Sequence, residues 1–117
     1  MILEQKLVAL IRMVCPRVSP DFAPTNTARP YVTYQQVGGQ ALSFVDNTVP
    51  SIENAEIQVN VWADSRLEAK GLMKLIEEVL IVATSIQARP QSACVSDFDA
   101  DMAVYGSRQD FSIWADR

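Results

Sequence analysis

The sequence predicts an α+β fold, two helices packed on a mainly antiparallel β-sheet in the order α-β-β-β-α-β-β. Three observations predict it. Ala55, Ile57, Val59, Val61 and Ala63 alternate with Glu56, Gln58, Asn60 and Trp62, the period of two that marks a strand with one buried face. The period then changes: Leu72, Leu75, Ile76, Val79, Leu80 and Ala83 recur at steps of three and four, with Lys70, Lys74, Glu77 and Glu78 on the other side, as in an amphipathic helix. Only a couple of residues join the two elements, so the helix must fold back and cover the apolar face of the strand.

The remaining elements follow in order. Ile2 to Val14 places Leu3, Leu7, Leu10, Ile11 and Val14 on one stripe and Glu4, Lys6 and Arg12 outside it, a first helix that Pro16 ends. Val18 to Arg29, with Pro20, Pro24 and Asn26, reads as an irregular loop of the length that often serves function or interfaces. Tyr31 to Val37 alternates as a strand, Gly38-Gly39 supplies a hairpin turn, and Ala41 to Val45 is the expected return strand. Asp46 to Ile52 is a second polar loop before the central strand. Ser65 with Glu68 three residues on predicts a capping box at the start of the second helix, which fades near Ile86 to Ala88 before Pro90. Ala93 to Ser96 is read as a short strand and Asp97 to Asp101 as a turn. Val104 to Ala115 closes the sheet, with Phe111, Ile113 and Ala115 inward and Arg108, Asp110, Ser112 and Trp114 outward.

The totals bound the class. A chain of 117 residues with 49 % apolar and 21 % charged residues is expected to form one domain, residues 1–117, around a single core. A net charge of −4 argues against a protein that grips nucleic acid by neutralising phosphates, although not against one that lets nucleic acid pass. No stretch has the apolar length of a membrane span or the unbroken apolar segment of a signal peptide, so no membrane association is expected. Cys15 and Cys94 lie far apart and read as a reduced pair of small apolar residues.

Little in the chain points to chemistry. It contains no histidine, which removes the commonest metal ligand and the commonest general base near neutral pH. A Ser-His-Asp or Cys-His arrangement therefore cannot be built. Asp97, Asp99 and Asp101 resemble the start of a calcium loop, but the sixth and twelfth positions of that loop hold Met102 and Arg108 instead of glycine and glutamate. A solvated turn is the expectation there. Gly38-Gly39 lacks the helix and lysine of a phosphate loop. No catalytic residue, metal or cofactor is expected.

The tryptophans are more informative. Trp62 and Trp114 each lie at a strand end, on the face whose other members are polar. One reading packs them under a loop or against the first helix. The other makes Gln58, Asn60, Trp62, Arg108, Asp110 and Trp114 a protein interface, since large aromatics among polar groups are typical anchors.

Three segments carry a resemblance to a known family: PDFAPTNTARPYVTYQQVGG, EIQVNVWADSRLEAKGLMKLIEEV and the closing YGSRQDFSIWAD. From about Pro20 to Trp114 the chain resembles the small tail completion proteins of long-tailed bacteriophages and prophages, relatives in fold of tail-tube terminators and tail-to-head joining proteins. Ala28-Arg29-Pro30-Tyr31, Val61-Trp62-Ala63 and Asp110-Phe111 to Trp114 carry it most specifically; Ala88 to Ala103 matches least. These are packing and turn features, none of them catalytic. The resemblance implies a structural homo-oligomer, usually a hexameric ring, that caps the tail tube at the head-proximal end of the virion tail. Its implied partners are the tail-tube protein and the head–tail connector or stopper. DNA would pass through the ring without specific binding, and the protein would sit in the host bacterial cytoplasm during assembly. An adaptor domain that grips one partner with its tryptophan face and forms no ring is the alternative. A small enzyme using carboxylates or Lys70 and Lys74 is a third reading.

Overall fold

The computed structural model describes residues 2–117. Its elements are α1 (Leu3–Ile11), β1 (Val18–Pro20), β2 (Tyr31–Gly38), β3 (Ile52–Ala63), α2 (Arg66–Val82), β4 (Gln87–Pro90), β5 (Val95–Asp99) and β6 (Val104–Asp116). The expected α+β class and the order α-β-β-β-α-β-β are found, with one further short strand. The sheet runs β1-β2-β3-β6, and β4 and β5 share the far edge of β6. All pairings are antiparallel except β1 with β2.

The central strand behaves as its alternation dictates. Ala55, Ile57, Val59, Val61 and Ala63 are buried, and they share their face with Val32 and Tyr34 of β2 and Phe111 and Ile113 of β6. Leu3, Leu7 and Ile11 of α1 and Ala69, Met73, Ile76 and Leu80 of α2 complete the same core. Ser65 Oγ accepts the Glu68 amide at 3.2 Å and starts α2. Of the expected capping box only this half is made among the described residues.

Several local expectations are corrected. Ala41 to Val45 is not a strand, and Gly38-Gly39 does not begin a tight hairpin. β3 takes one edge of β2 and β1 takes the other only at Val32 to Tyr34; the chain after Gly39 turns out of the sheet instead of returning along the open edge of residues 35–38. Gly39 has φ 148° and lies so close to β3 that a Cβ would fall 2.7 Å from the Asn54 carbonyl oxygen. There the chain leaves the sheet as an arm, residues 39–51. Within the expected irregular loop, Val18–Pro20 is a short strand held beside β2.

α2 ends at Val82, and the segment expected as its fading end, Ile86 to Ala88, instead enters β4 with Ile86 and Ala88 buried. Its buried stripe is also rotated. Leu75 is 50 % exposed, whereas Ala69 and Met73, outside the expected stripe, are fully buried. At the other end of the molecule, β5 extends to Asp99, so the turn begins later than expected. Asp99 Oδ1 accepts the amides of Asp101 and Met102 at 3.0 and 3.2 Å and closes that turn. Cys15 and Cys94 are free thiols, the first buried and the second half-buried.

One polar contact in the core carries a pH dependence. The Tyr34 hydroxyl donates to Glu4 Oε1 at 2.7 Å, joining β2 to α1. Burial, and next the hydrogen bond and charge of Glu4, push the phenol well above its ordinary value of 10.0. The folded protein therefore keeps a proton that the unfolded chain releases at about pH 10. This stabilisation is fully present below about pH 10 and is expected to decline as pH rises beyond it. Denaturant titrations at pH 8 and pH 11 should show the loss, and Tyr34→Phe should flatten this part of the slope. At neutral pH the variant should cost about 1 kcal/mol.

Candidate functional site

The face of the sheet turned away from the helices carries the six residues predicted as an interface. Directly opposed residues of an antiparallel pair share a face. Gln58 opposes Asp110, Asn60 opposes Arg108, and Trp62 opposes Gly106, so five of the six form one continuous patch across β3 and β6. Trp114 is not in it. Although β3 and β6 pair directly, Trp114 opposes Asn54, eight residues along β3 from Trp62. That is about 26 Å at the usual rise per residue. The tryptophans share a face but mark its opposite ends.

Trp62 is held by specific neighbours. Its indole nitrogen donates to Thr33 Oγ1 at 3.3 Å, and its ring lies over the backbone of Gly106. A Cβ on Gly106 would meet the ring at 2.9 Å, so this contact requires the glycine. The indole is half-buried, with one face on the sheet and its edge open. The side chain packs locally and still presents surface.

Gln58, Asn60, Trp62 and Arg108 of this patch are the floor of a hollow of about 1000 Å³, roofed by the loop of residues 21–29. Phe22, Tyr31, Trp62 and Met102 give it an aromatic and apolar lining, with Arg29 and Arg108 beside them. Arg29 builds one wall. Its guanidinium reaches Asp64 Oδ1 at 3.2 Å and the carbonyl oxygens of Met102 and Ala103, tying the loop to the start of α2 and to the β5–β6 turn. Phe22 is 80 % exposed at the rim. Asp110 follows on β6 outside the lining of the hollow; its Oδ1 is shielded from solvent and has no hydrogen-bond partner among the described residues. A shielded acceptor left unpaired is costly.

Asp97 Oδ1 accepts the Phe98 amide and Asp99 closes its turn, so these carboxylates serve the local backbone. No group of His, Cys, Asp or Glu that could hold a metal is found among the described residues. Lys70 and Lys74 are exposed on α2, far from the hollow. Asp46, held below the usual carboxylate range chiefly by its hydrogen bonds from Thr48, belongs to the arm and not to a pocket. No helix among the described residues is long and apolar enough to cross a membrane.

Sequence reasoning missed Gln109. It is buried on the helix-facing side of β6, donating to Glu77 of α2 and to the Ser92 carbonyl oxygen. Its parity with Phe111 and Ile113 was the available signal. It also missed Arg29 as a tie between three segments, a role that depends on contacts remote in sequence.

The fold and the site together define a small α+β protein with a polar-aromatic hollow on one sheet face, an apolar arm, and a helix that leaves apolar side chains in solvent. The tail completion protein gp17 family matches residues 5–116, nearly the whole length, and the chain belongs to that family. It is accordingly a phage tail protein, one that acts through contacts with other tail components. No match was found among curated proteins.

Proposed function

We propose that this chain is a structural subunit that assembles into a ring, six subunits around, at the head-proximal end of the phage tail. The ring caps the tail tube and offers its other side to the head–tail connector, and DNA passes through its centre without specific binding. The subunit is a single domain and acts without catalysis, metal or cofactor. It collects in the host cytoplasm before it joins the tail. The family match over residues 5–116 carries this reading. The net charge of −4 agrees with a channel that does not retard phosphate.

Within the ring, Gln58, Asn60, Trp62, Arg108 and Asp110 meet a neighbouring protein, and Trp114 serves a separate contact at the other end of the sheet. Trp62, a large aromatic left half-exposed among polar groups, supports the first assignment. Replacing Trp114 with serine is expected to leave thermal unfolding within a few degrees of wild type and to weaken assembly. Trp62→Ser is expected to weaken assembly and also to lower stability by about 1–3 kcal/mol, because Trp62 packs on Gly106 and bonds Thr33. Light scattering of the variants, set beside denaturant titrations, separates the two effects. Assembly unchanged in both would remove the tryptophan face from the interface.

The adaptor reading is favoured by one observation, the hollow of about 1000 Å³ over Trp62, which has the size to take a segment of one partner. It predicts a monomer at every concentration and a one-to-one complex with that partner.

A further inference from the structure

The arm and the outer side of α2 are both apolar, both uncovered, and lie on different parts of the molecule. On the arm, Val45 is wholly exposed, with Phe44 and Val49 also open to solvent. Its tip is nonetheless an organised turn. The Asn47 amide donates to the Phe44 carbonyl oxygen, Asn47 takes φ 61°, and Asp46 Oδ1 accepts from both the Thr48 amide and its hydroxyl. A turn held this way presents Phe44 and Val45 in a fixed arrangement, which lowers the ordering cost of binding.

On α2, Leu67, Leu75 and Val82 are 83 %, 50 % and 76 % exposed and fall on one side of the helix. Gly71 lies between Leu67 and Leu75, one turn from each. A glycine inside a helix is destabilising, and nothing within the chain calls for this one, since a Cβ there would meet no atom within 4 Å. It leaves a notch between two leucines. Lys70 and Lys74 line one side of the notch, Glu68 lies on its other side and Glu78 two turns further on, and Asp46 is the only charged side chain of the arm. Leu67 follows the end of β3 opposite to the arm, about 35 Å away along the strand.

We propose that the arm of one copy docks on the outer side of α2 of the next, with Phe44 and Val45 at the Gly71 notch and Asp46 beside Lys70 and Lys74. Two different surfaces meet, so the contact is head-to-tail, the kind that repeats around a ring. The inference rests on the ring reading for its geometry but is tested separately from it.

The test is disulfide capture in a Cys94→Ala background, leaving the buried Cys15. Val45→Cys protein is mixed with Leu75→Cys protein and oxidised. The control mixes Val45→Cys with Met13→Cys, a position more open to solvent than Leu75. The arm–helix pair is expected to give at least five-fold more heterodimer than the control. Adding Gly71→Met to the Leu75→Cys chain should bring the yield down to the control level. Circular dichroism should show that this variant keeps its fold, since the added side chain meets open space. Equal yields in the two mixtures, or no effect of filling the notch, would overturn the contact. If rings form while the pair links no better than the control, the ring reading stands without this contact. If the pair links while no ring forms, the contact stands and the ring reading falls.

Discussion

Phe111→Ala is expected to lower the free energy of unfolding by about 3–5 kcal/mol, the cost of emptying a fully buried aromatic site. Phe111 heads the fully buried side chains by volume, and it opposes Ile57 on the face of the sheet that both helices cover. β6 pairs with β3, β4 and β5, so a defect there is felt across most of the sheet. Total stabilities of small domains lie near 5–15 kcal/mol, so the variant should be substantially unfolded by modest denaturant. Urea titration of wild type and variant measures the difference. A loss below about 1 kcal/mol would mean that the core does not close around β6 as described.

The second large effect is a contrast between neighbours on α2. Ile76→Ala is expected to cost about 2–5 kcal/mol, because Ile76 is completely buried between the helix and the sheet. Leu75→Ala should cost no more than about 1 kcal/mol, because half of that side chain already faces solvent. The sequence periodicity places both in the buried stripe and predicts two equal losses. Urea titration of the pair therefore reports the rotation of the helix about its axis. Equal losses would restore the stripe read from periodicity.

That contrast also shows where sequence reasoning stops. β3 was legible because its alternation runs unbroken over nine residues, from Ala55 to Ala63, and only one face can be buried. α2 was legible as a helix but not in its rotation. Leu67, Leu72, Met73, Leu75, Ile76, Val79, Leu80, Ile81 and Val82 are more apolar residues than one face can bury, so the wheel has no unique buried side. The structure settles it by burying small Ala69 against the sheet and leaving Leu67 outside. The surplus that blurs the pattern is the same set of side chains we assign to a neighbouring copy.

The arm was misread for a related reason. Ala41 to Val45 has strand-like composition, but the close approach of Gly39 to β3 sends the chain out of the sheet and away from the open edge beside residues 35–38. That direction is set by a contact with β3 and cannot be seen in a window of five residues. The interface patch was legible as a set of outward-facing residues on two strands. The separation of Trp62 from Trp114 was not, because it depends on the register of β3 against β6. The hollow above Trp62 needs the loop of residues 21–29 to fold over the sheet, held partly by Arg29, and no local pattern encodes that closure.

The account depends on this chain completing a phage tail as a closed ring. The most direct measurement is negative-stain imaging of the purified protein, alone and mixed with tail tubes. We expect closed six-fold rings at high protein concentration and one ring at a single end of each tube. Particles of monomer size in both samples, with tube ends bare and tubes unchanged in length, would contradict it.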